Sequence, residues 1–332
     1  MLRISGQTKV KRTDIVQDVD GDTHNSFHYV QKNNLTRVDS RRQFDRERKK
    51  EKIIWDNVAL MHPSAAGIRV KGGYLGKGAE RECREMSEIT IGGQDIGQRL
   101  VGKFSIHHEV NDQFEFHEEC ALTQFEAGRI SRKFNEALEQ LEKRMQSSLR
   151  RIEFLQIWFY EWDVKGGTST ILCEKRLDSS RYKKWNDNKG GVDNLNKQLG
   201  EDIAAAVEEV CLDAIDEGDE EGNEYQEELG PVDLSNATRI IDDDVPQAFS
   251  HWSWQYTRGY SLVCDLQGVL GTECFQLTDP AIHSRKRRYG KTDLGRKGHH
   301  FFFATHKCNP LCHVLRLRHP GITPREIDSF IR

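Results

Sequence analysis

The chain has no apolar run approaching the roughly twenty residues that span a bilayer and no hydrophobic leader at its start, so a membrane partner is not expected. It has no internal repeat, which argues against solenoids and propellers. Nor is there a large excess of one charge: 49 Lys and Arg against 53 Asp and Glu give a net charge of −4, which argues against a nucleic-acid partner. Its eight cysteines follow no regular spacing. A disulfide framework is therefore not indicated, and the protein is expected in a reducing, cytoplasmic setting with its cysteines as thiols or metal ligands. What is present, 332 residues of which 36% are hydrophobic and 31% charged, suffices for one large domain or two lobes.

Residues 1 to about 50 are polar without a sustained period, and Arg41 to Lys52 holds seven basic residues in twelve, the texture of a flexible arm. From Ile53 onward the short runs IIWDNVAL, GIRVKGGY, MSEITI and RLVGKFSI, parted by glycines and polar clusters, predict an antiparallel sheet. Two places in it carry chemistry. In Gly76-Lys77-Gly78-Ala79-Glu80-Arg81-Glu82-Cys83 the glycines let backbone N–H groups approach phosphate, and the arginine can fork onto its oxygens. Lys103, in LVGKFSI, sets an ammonium in an apolar strand, where a lone lysine ordinarily reaches out to water.

From Glu119 to Leu149 the residues Leu122, Phe125, Ile130, Phe134, Leu138, Leu141 and Met145 recur every three to five positions with no proline between, which predicts one long amphipathic helix. The runs RIEFLQIWFYEW and STILCEKRL, joined through VKGG, predict a hairpin. A second helical stripe runs from Ile203 to Ile215, and Asp216 to Glu228 is an acidic stretch read as a solvated loop.

The segment from His251 to Cys312 is the densest in site chemistry. Tyr260 to Leu266 reads as a buried strand that ends in Asp265, Gln267 and Gly268, with Asp265 and Gln267 expected on one strand face, two residues apart. Their hard oxygens suit Mg2+. Beyond the loop Val269 to Gln276, Asp279 in LTDP is placed to accept or orient a hydroxyl proton. His306, Cys308 and Cys312 form H-x-C-x3-C, and His251 supplies a fourth ligand for a closed, structural zinc site. His283, His299, His300, His313 and His319 have no such company and are read as ordinary residues.

Four segments in this order, QAFSHW at Gln247 to Trp252, VCDLQGV at Val263 to Val269, LTDP at Leu277 to Pro280 and HKCNPLC at His306 to Cys312, resemble the catalytic core of the alpha-kinases. These are the atypical protein kinases that include elongation factor kinase, myosin heavy chain kinase and the channel-kinases, and the match runs over roughly residues 66 to 315. The resemblance implies an α+β, two-lobed, protein-kinase-like fold with a mainly antiparallel N-lobe sheet and a zinc-containing C-lobe. Its boundaries would be a basic arm over 1–50, a catalytic domain over 51–320 divided near residue 174, and a tail over 321–332.

The resemblance also assigns roles. Gly76, Gly78, Ala79 and Arg81 would hold nucleotide phosphates, Lys103 would neutralise the α- and β-phosphates with a helix carboxylate as its partner, and Glu174 would face the adenine from the interlobe hinge. Asp265, Asp279 and Gln267 would be catalytic, with Asp265 and Gln267 on Mg2+, while Gly290, Asp293 and Gly295 would form a glycine-rich substrate loop. Tyr182 to Asn186 resembles the run that follows the hinge. The implied activity is transfer of the γ-phosphate of ATP to a serine or threonine hydroxyl on a protein. Competing readings are a pseudokinase or ATP-binding scaffold, and a zinc-stabilised interaction domain.

Overall fold

The computed structural model describes residues 27–45, 50–78, 81–106, 114–164, 167–191 and 240–320. The stripe Ile203 to Ile215, the acidic run 216–228 and the tail 321–332 lie outside these residues. In chain order the elements are β1 (Phe27–Gln31), β2 (Leu35–Asp45), β3 (Lys50–Val58), β4 (Gly67–Lys77), β5 (Arg81–Ile89), β6 (Asp95–Ser105) and α1 (Phe114–Met145). There follow β7 (Arg151–Phe154), β8 (Ile157–Val164), β9 (Gly167–Lys175), β10 (Lys183–Lys184), α2 (Asp244–Tyr256), β11 (Ser261–Cys264) and β12 (Gln267–Leu270). The last are β13 (Cys274–Thr278), β14 (Ala281–Ser284), α3 (Arg296–Thr305) and α4 (Pro310–Val314). No described helix is long and apolar enough to cross a membrane.

The chain divides into two compact units, Met1–Glu118 with Gln156–Arg176, and Glu119–Leu155 with Leu177–Arg332. The break after Arg176 lies close to the expected one near residue 174, but most of α1 and all of β7, expected in the first lobe, belong to the second unit.

In the first unit eight strands form one sheet in the order β1-β4-β5-β6-β9-β8-β2-β3, with every neighbouring pair antiparallel. The segment from Phe27 to Asp45, expected as part of a flexible arm, forms two strands joined by a 3-10 turn over Lys32–Asn34. Val30, Leu35 and Val38 are buried, and Val30 and Leu35 join a core with Ile68, Met86, Leu100, Tyr160 and Ile171. Of the described charges, Arg37 pairs with Asp39 along β2, and Arg41 pairs with Asp56 across β2 and β3.

In the second unit Ala127, Ile130, Phe134, Leu138 and Leu141 recur at three- and four-residue steps along α1 and are all buried. They pack on Val245, Ala248 and Phe249 of α2 and on Val263, Leu266, Phe275 and Leu277. Burying one such aromatic or leucine side chain stabilises by about 1.5–3 kcal/mol. The other face of α1 carries pairs at helical spacing, Glu126 with Arg129 and Glu139 with Lys143.

A four-stranded sheet, β10-β12-β13-β7, and a two-stranded ribbon, β11-β14, complete this unit. The run RIEFLQIWFYEW thus splits in two, since β7 pairs parallel with β13 while β8 forms the expected hairpin with β9. The segment Val269 to Gln276, expected as a loop, is mostly a hairpin of β12 on β13. Gly268 enters it at φ 150°, and a Cβ there would fall 2.0 Å from the Gln276 carbonyl oxygen, so no other residue fits.

Candidate active site and metal centre

The first unit carries the glycines, Arg81 and Lys103 that the sequence singled out. β4 and β5 meet at a hairpin tip where Gly76 pairs with Cys83, Lys77 with Glu82, and the Gly78 N–H donates to the Arg81 carbonyl at 2.7 Å. A Cβ on Gly76 would meet nothing within 4 Å, and one on Gly78 only the Arg81 carbonyl oxygen at 3.7 Å. The protein's own packing therefore does not require glycine at either position, and their smallness leaves backbone open to a ligand. The Arg81 guanidinium lies over the Phe116 ring at 5.0 Å. Ala79 lies outside the described residues.

Lys103 does not reach out to water: it is 1% exposed, and its ammonium lies 2.8 Å from Glu174. Where a helix carboxylate was expected, this one comes from the neighbouring strand. Val101 pairs with Glu174 and Lys103 with Leu172, so the two charges sit diagonally across β6 and β9 on one face. The Glu174 carboxylate, expected at an adenine, is thereby engaged with Lys103.

In the second unit Asp265 and Gln267 do not share a strand. Asp265 has φ 58° between β11 and β12, and this left-handed residue turns the chain from the ribbon into the four-stranded sheet. The two side chains still converge: Gln267 Nε2 donates to Asp265 Oδ2 at 3.3 Å and to the Asp279 carbonyl at 3.3 Å. With that nitrogen committed, Oε1 is the amide atom left to face a cation. Asp279 also has a left-handed φ, 50°, and follows Thr278, which pairs with Gln267. The β12–β13 hairpin thus begins and ends in an aspartate that breaks its strand.

Burial pushes the Asp265 carboxyl above the usual carboxylate range and the Asp279 charge adds to this, while the Lys184 ammonium pulls against it. Lys184 reaches Asp265 as an ion pair from β10, which pairs with β12. Three further groups brace the segments around the aspartates. Buried Asn186 accepts from the Leu266 N–H at 3.0 Å and donates to Ser250 at 3.0 Å. Gln124 of α1 accepts from the Asp279 N–H at 3.0 Å and donates to the Leu155 carbonyl at 2.8 Å. His283, read as ordinary, donates from Nε2 to the Asn188 carbonyl at 2.7 Å, accepts at Nδ1 from the Leu294 N–H at 3.1 Å, and lies 3.3 Å from the Cys264 sulfur. Burial lowers its pKa, consistent with this neutral tautomer.

The glycine-rich loop is held from within. Asp293 is 4% exposed and accepts from the Ser284 N–H at 2.8 Å, the Ser284 hydroxyl at 2.6 Å and the Gly295 N–H at 2.8 Å. Gly290 has φ 74°, and a Cβ there would lie 2.0 Å from Glu119 Oε1. Gly295 has φ 66° and precedes α3.

His251, His306, Cys308 and Cys312 converge with all four ligand atoms within 4.8 Å of one another. Cys308 Sγ lies 3.7 Å from His251 Nδ1, and Cys312 Sγ 3.6 Å from His306 Nε2. These spacings match the roughly 3.6 Å edge of a tetrahedron with Zn–S near 2.3 Å and Zn–N near 2.05 Å, so the residues fit a zinc ion. The other nitrogen of His251, Nε2, donates to the Arg318 carbonyl at 3.2 Å, which fixes the ring with Nδ1 toward the cluster. A hydrogen bond from the Cys312 thiol holds Cys308 far below the ordinary thiol range and raises Cys312, and burial lowers the pKa of His306.

The curled antiparallel sheet, the helical second unit and these paired aspartates define an α+β kinase-like protein. The chain belongs to the alpha-kinase family, whose model matches residues 76–207 and 221–312. It is 42% identical over 93 residues to alpha-protein kinase vwkA of Dictyostelium discoideum, covering 27% of this chain and 15% of that protein. It is 27% identical over 241 residues to myosin heavy chain kinase C of the same organism, covering 72% of this chain and 23% of the relative. The chain thus spans under a quarter of the length of these relatives. Its fold is similar to a crystal structure of the alpha-kinase domain of myosin heavy chain kinase A in complex with AMP, with a TM-score of 0.53, 20% identity, and coverage of 86% of this chain and 98% of that one.

Proposed function

We propose that the protein is an ATP-dependent serine/threonine protein kinase of the alpha-kinase type, with Mg2+ at Asp265 and Gln267 and a structural zinc ion at His251, His306, Cys308 and Cys312. The observation that carries the reading is the convergence of Asp265, Asp279 and Gln267 at the two ends of one hairpin, inside the span that matches the family. Bound Mg2+ supplies neutralisation of the charge on the transferring phosphoryl group. Asp265 and the Gln267 oxygen would hold that cation, and the Lys184 ion pair opposes the upward push that burial gives the Asp265 carboxyl. Asp279 orients the acceptor hydroxyl and takes its proton, with its backbone pinned by Gln124. Lys103, steered by Glu174, and Arg81 with the open backbone at Gly76 and Gly78 hold the nucleotide phosphates. A reducing, cytoplasmic setting belongs to the same reading, with the cysteines as thiols or metal ligands.

Transfer of labelled phosphate from ATP and Mg2+ to a generic protein, followed by phosphoamino-acid analysis, tests the reading. Label on serine or threonine that is lost in Asp265→Asn supports it. Nucleotide binding without transfer supports a pseudokinase, and neither supports an interaction domain.

A further inference from the structure

Between Ser284 and α3 the chain reads Arg285-Lys286-Arg287-Arg288-Tyr289-Gly290-Lys291, and α3 opens on Arg296 and Lys297. Arg285 through Arg288, Lys291 and Arg296 are exposed. Arg285 is tied down, with its guanidinium over Tyr260 at 4.4 Å and Nε donating to the Gly259 carbonyl at 3.0 Å. The side chains of Arg287, Arg288 and Arg296 make no ion pair among the described residues. Among the described residues Asp293 is buried in the loop's own hydrogen bonds, Glu119 packs at Gly290, and Glu126 pairs with Arg129.

This concentration of charge is unfavourable by itself. The first turn of α3 carries no acidic residue and its cap Gly295 gives no side-chain bond, so Arg296 and Lys297 stand at the positive end of the helix dipole. Arg287 takes a left-handed φ of 48° within the same cluster. In a chain of net charge −4, cations gathered where the fold itself disfavours them indicate an anionic partner.

Position narrows the partner. β11 and β14 form a four-rung ladder from Ser261 opposite Ser284 to Cys264 opposite Ala281. Asp265 and Asp279 lie just past one end of this ribbon, and Arg285 just past the other. Asp279 and Arg285 are six residues apart along this edge, up to about 20 Å at about 3.4 Å per residue, the reach of about six residues of extended peptide. We propose that the patch Arg285–Arg288 with Arg296 selects protein substrates that carry a cluster of Asp or Glu within about six positions of the acceptor hydroxyl. This inference rests on the kinase reading of Asp265 and Asp279 and adds the substrate's charge class to it.

Two dye-labelled peptides test it, with the same threonine-centred neutral core and either four Glu or four Gln on the flank. In 50 mM salt the wild-type protein should bind the Glu peptide about tenfold more tightly and phosphorylate it with about tenfold higher kcat/KM, and the gap should narrow as salt rises. Arg287→Gln with Arg288→Gln should lose that advantage on the Glu peptide alone, at an unchanged melting temperature. Should that pair unfold, Arg288→Glu by itself should shift preference in the same direction. Equal handling of the two peptides by the wild type, or an unaltered preference in the variants, overturns the proposal. So does tighter binding of a 12-mer RNA that the variants lose while their peptide preference stays. Selective binding of the Glu peptide with no transfer to either would uphold the patch as an acidic-peptide site and reject the kinase reading.

Discussion

The Lys103 ammonium and the Glu174 carboxylate lie 2.8 Å apart with side chains 2% and 5% exposed, a charge pair almost withdrawn from water. Such a pair contributes little by existing, but losing one member leaves the other buried and uncompensated, at a cost of about 3–5 kcal/mol. Lys103→Ala should therefore lower the melting temperature as well as raise the ATP concentration needed for transfer. Adding Glu174→Gln to that variant should restore much of the stability and none of the ATP affinity. Thermal unfolding and ATP titration of the two proteins check this, and unchanged ATP dependence in Lys103→Ala would place the nucleotide elsewhere.

Asp265 presents the opposite balance. Its folded pKa is raised above the unfolded value, mainly by burial, so the native state holds the proton more tightly than the unfolded chain does. Ionisation of Asp265 consequently subtracts stability as pH rises from the unfolded value through the folded one, and the loss persists at neutral pH. Asp265→Asn should keep or raise the melting temperature at pH 7 and flatten its dependence on pH over that window, while transfer falls by at least about a hundredfold. Asparagine is the informative replacement because it tolerates the φ of 58° better than alanine. Turnover at the wild-type rate would refute the catalytic assignment.

How much of this could be read beforehand followed the distance over which each signal acts. The cluster residues His306, Cys308 and Cys312 are local in the chain, and their spacing was legible; so was the anomaly of an ammonium at Lys103. The partner of Lys103 was not, because the β6–β9 register that brings Glu174 alongside is set by pairing between distant strands. The left-handed turn at Asp265 escaped too, since a single positive φ leaves no periodic trace, and a continuous apolar run therefore looked like one strand. Gln124 and Asn186 are polar residues whose service to Asp279 and Leu266 exists only in the folded chain. In β1 and β2 the surrounding charges, paired along β2 or across to β3, masked the three apolar residues Val30, Leu35 and Val38 that anchor these strands in the core.

Asp293 should behave as the clamp of the glycine-rich loop. Alanine there would strand the donors at Ser284 and Gly295, together with the Tyr289 N–H that also points to it, and cost about 2–5 kcal/mol. The expected phenotype is faster proteolysis between residues 285 and 292 and a raised KM for protein substrate, with the KM for ATP unchanged. Protease resistance and substrate KM both at wild-type values would show that the loop is held by other contacts.

The metal centre offers the sharpest test of stability. His251 lies on α2, His306 follows α3, and Cys312 lies on α4, so one ion would join three helices that otherwise meet through packing. Two imidazoles and two sulfurs fill a tetrahedron and leave no position for water, which makes the site structural. Structural zinc contributes roughly 10–16 kcal/mol of apparent binding energy in small peptides, comparable to or above the net stability of a whole domain. The purified protein should therefore carry about one zinc ion per chain, and a strong chelator should lower its melting temperature. Cys308→Ser and Cys312→Ser should give insoluble or protease-sensitive protein, whereas Cys274→Ser, a half-buried thiol outside the cluster, should be mild. Folded protein without zinc would remove the site, and full zinc content with full stability in Cys312→Ser would show that the ligands are others.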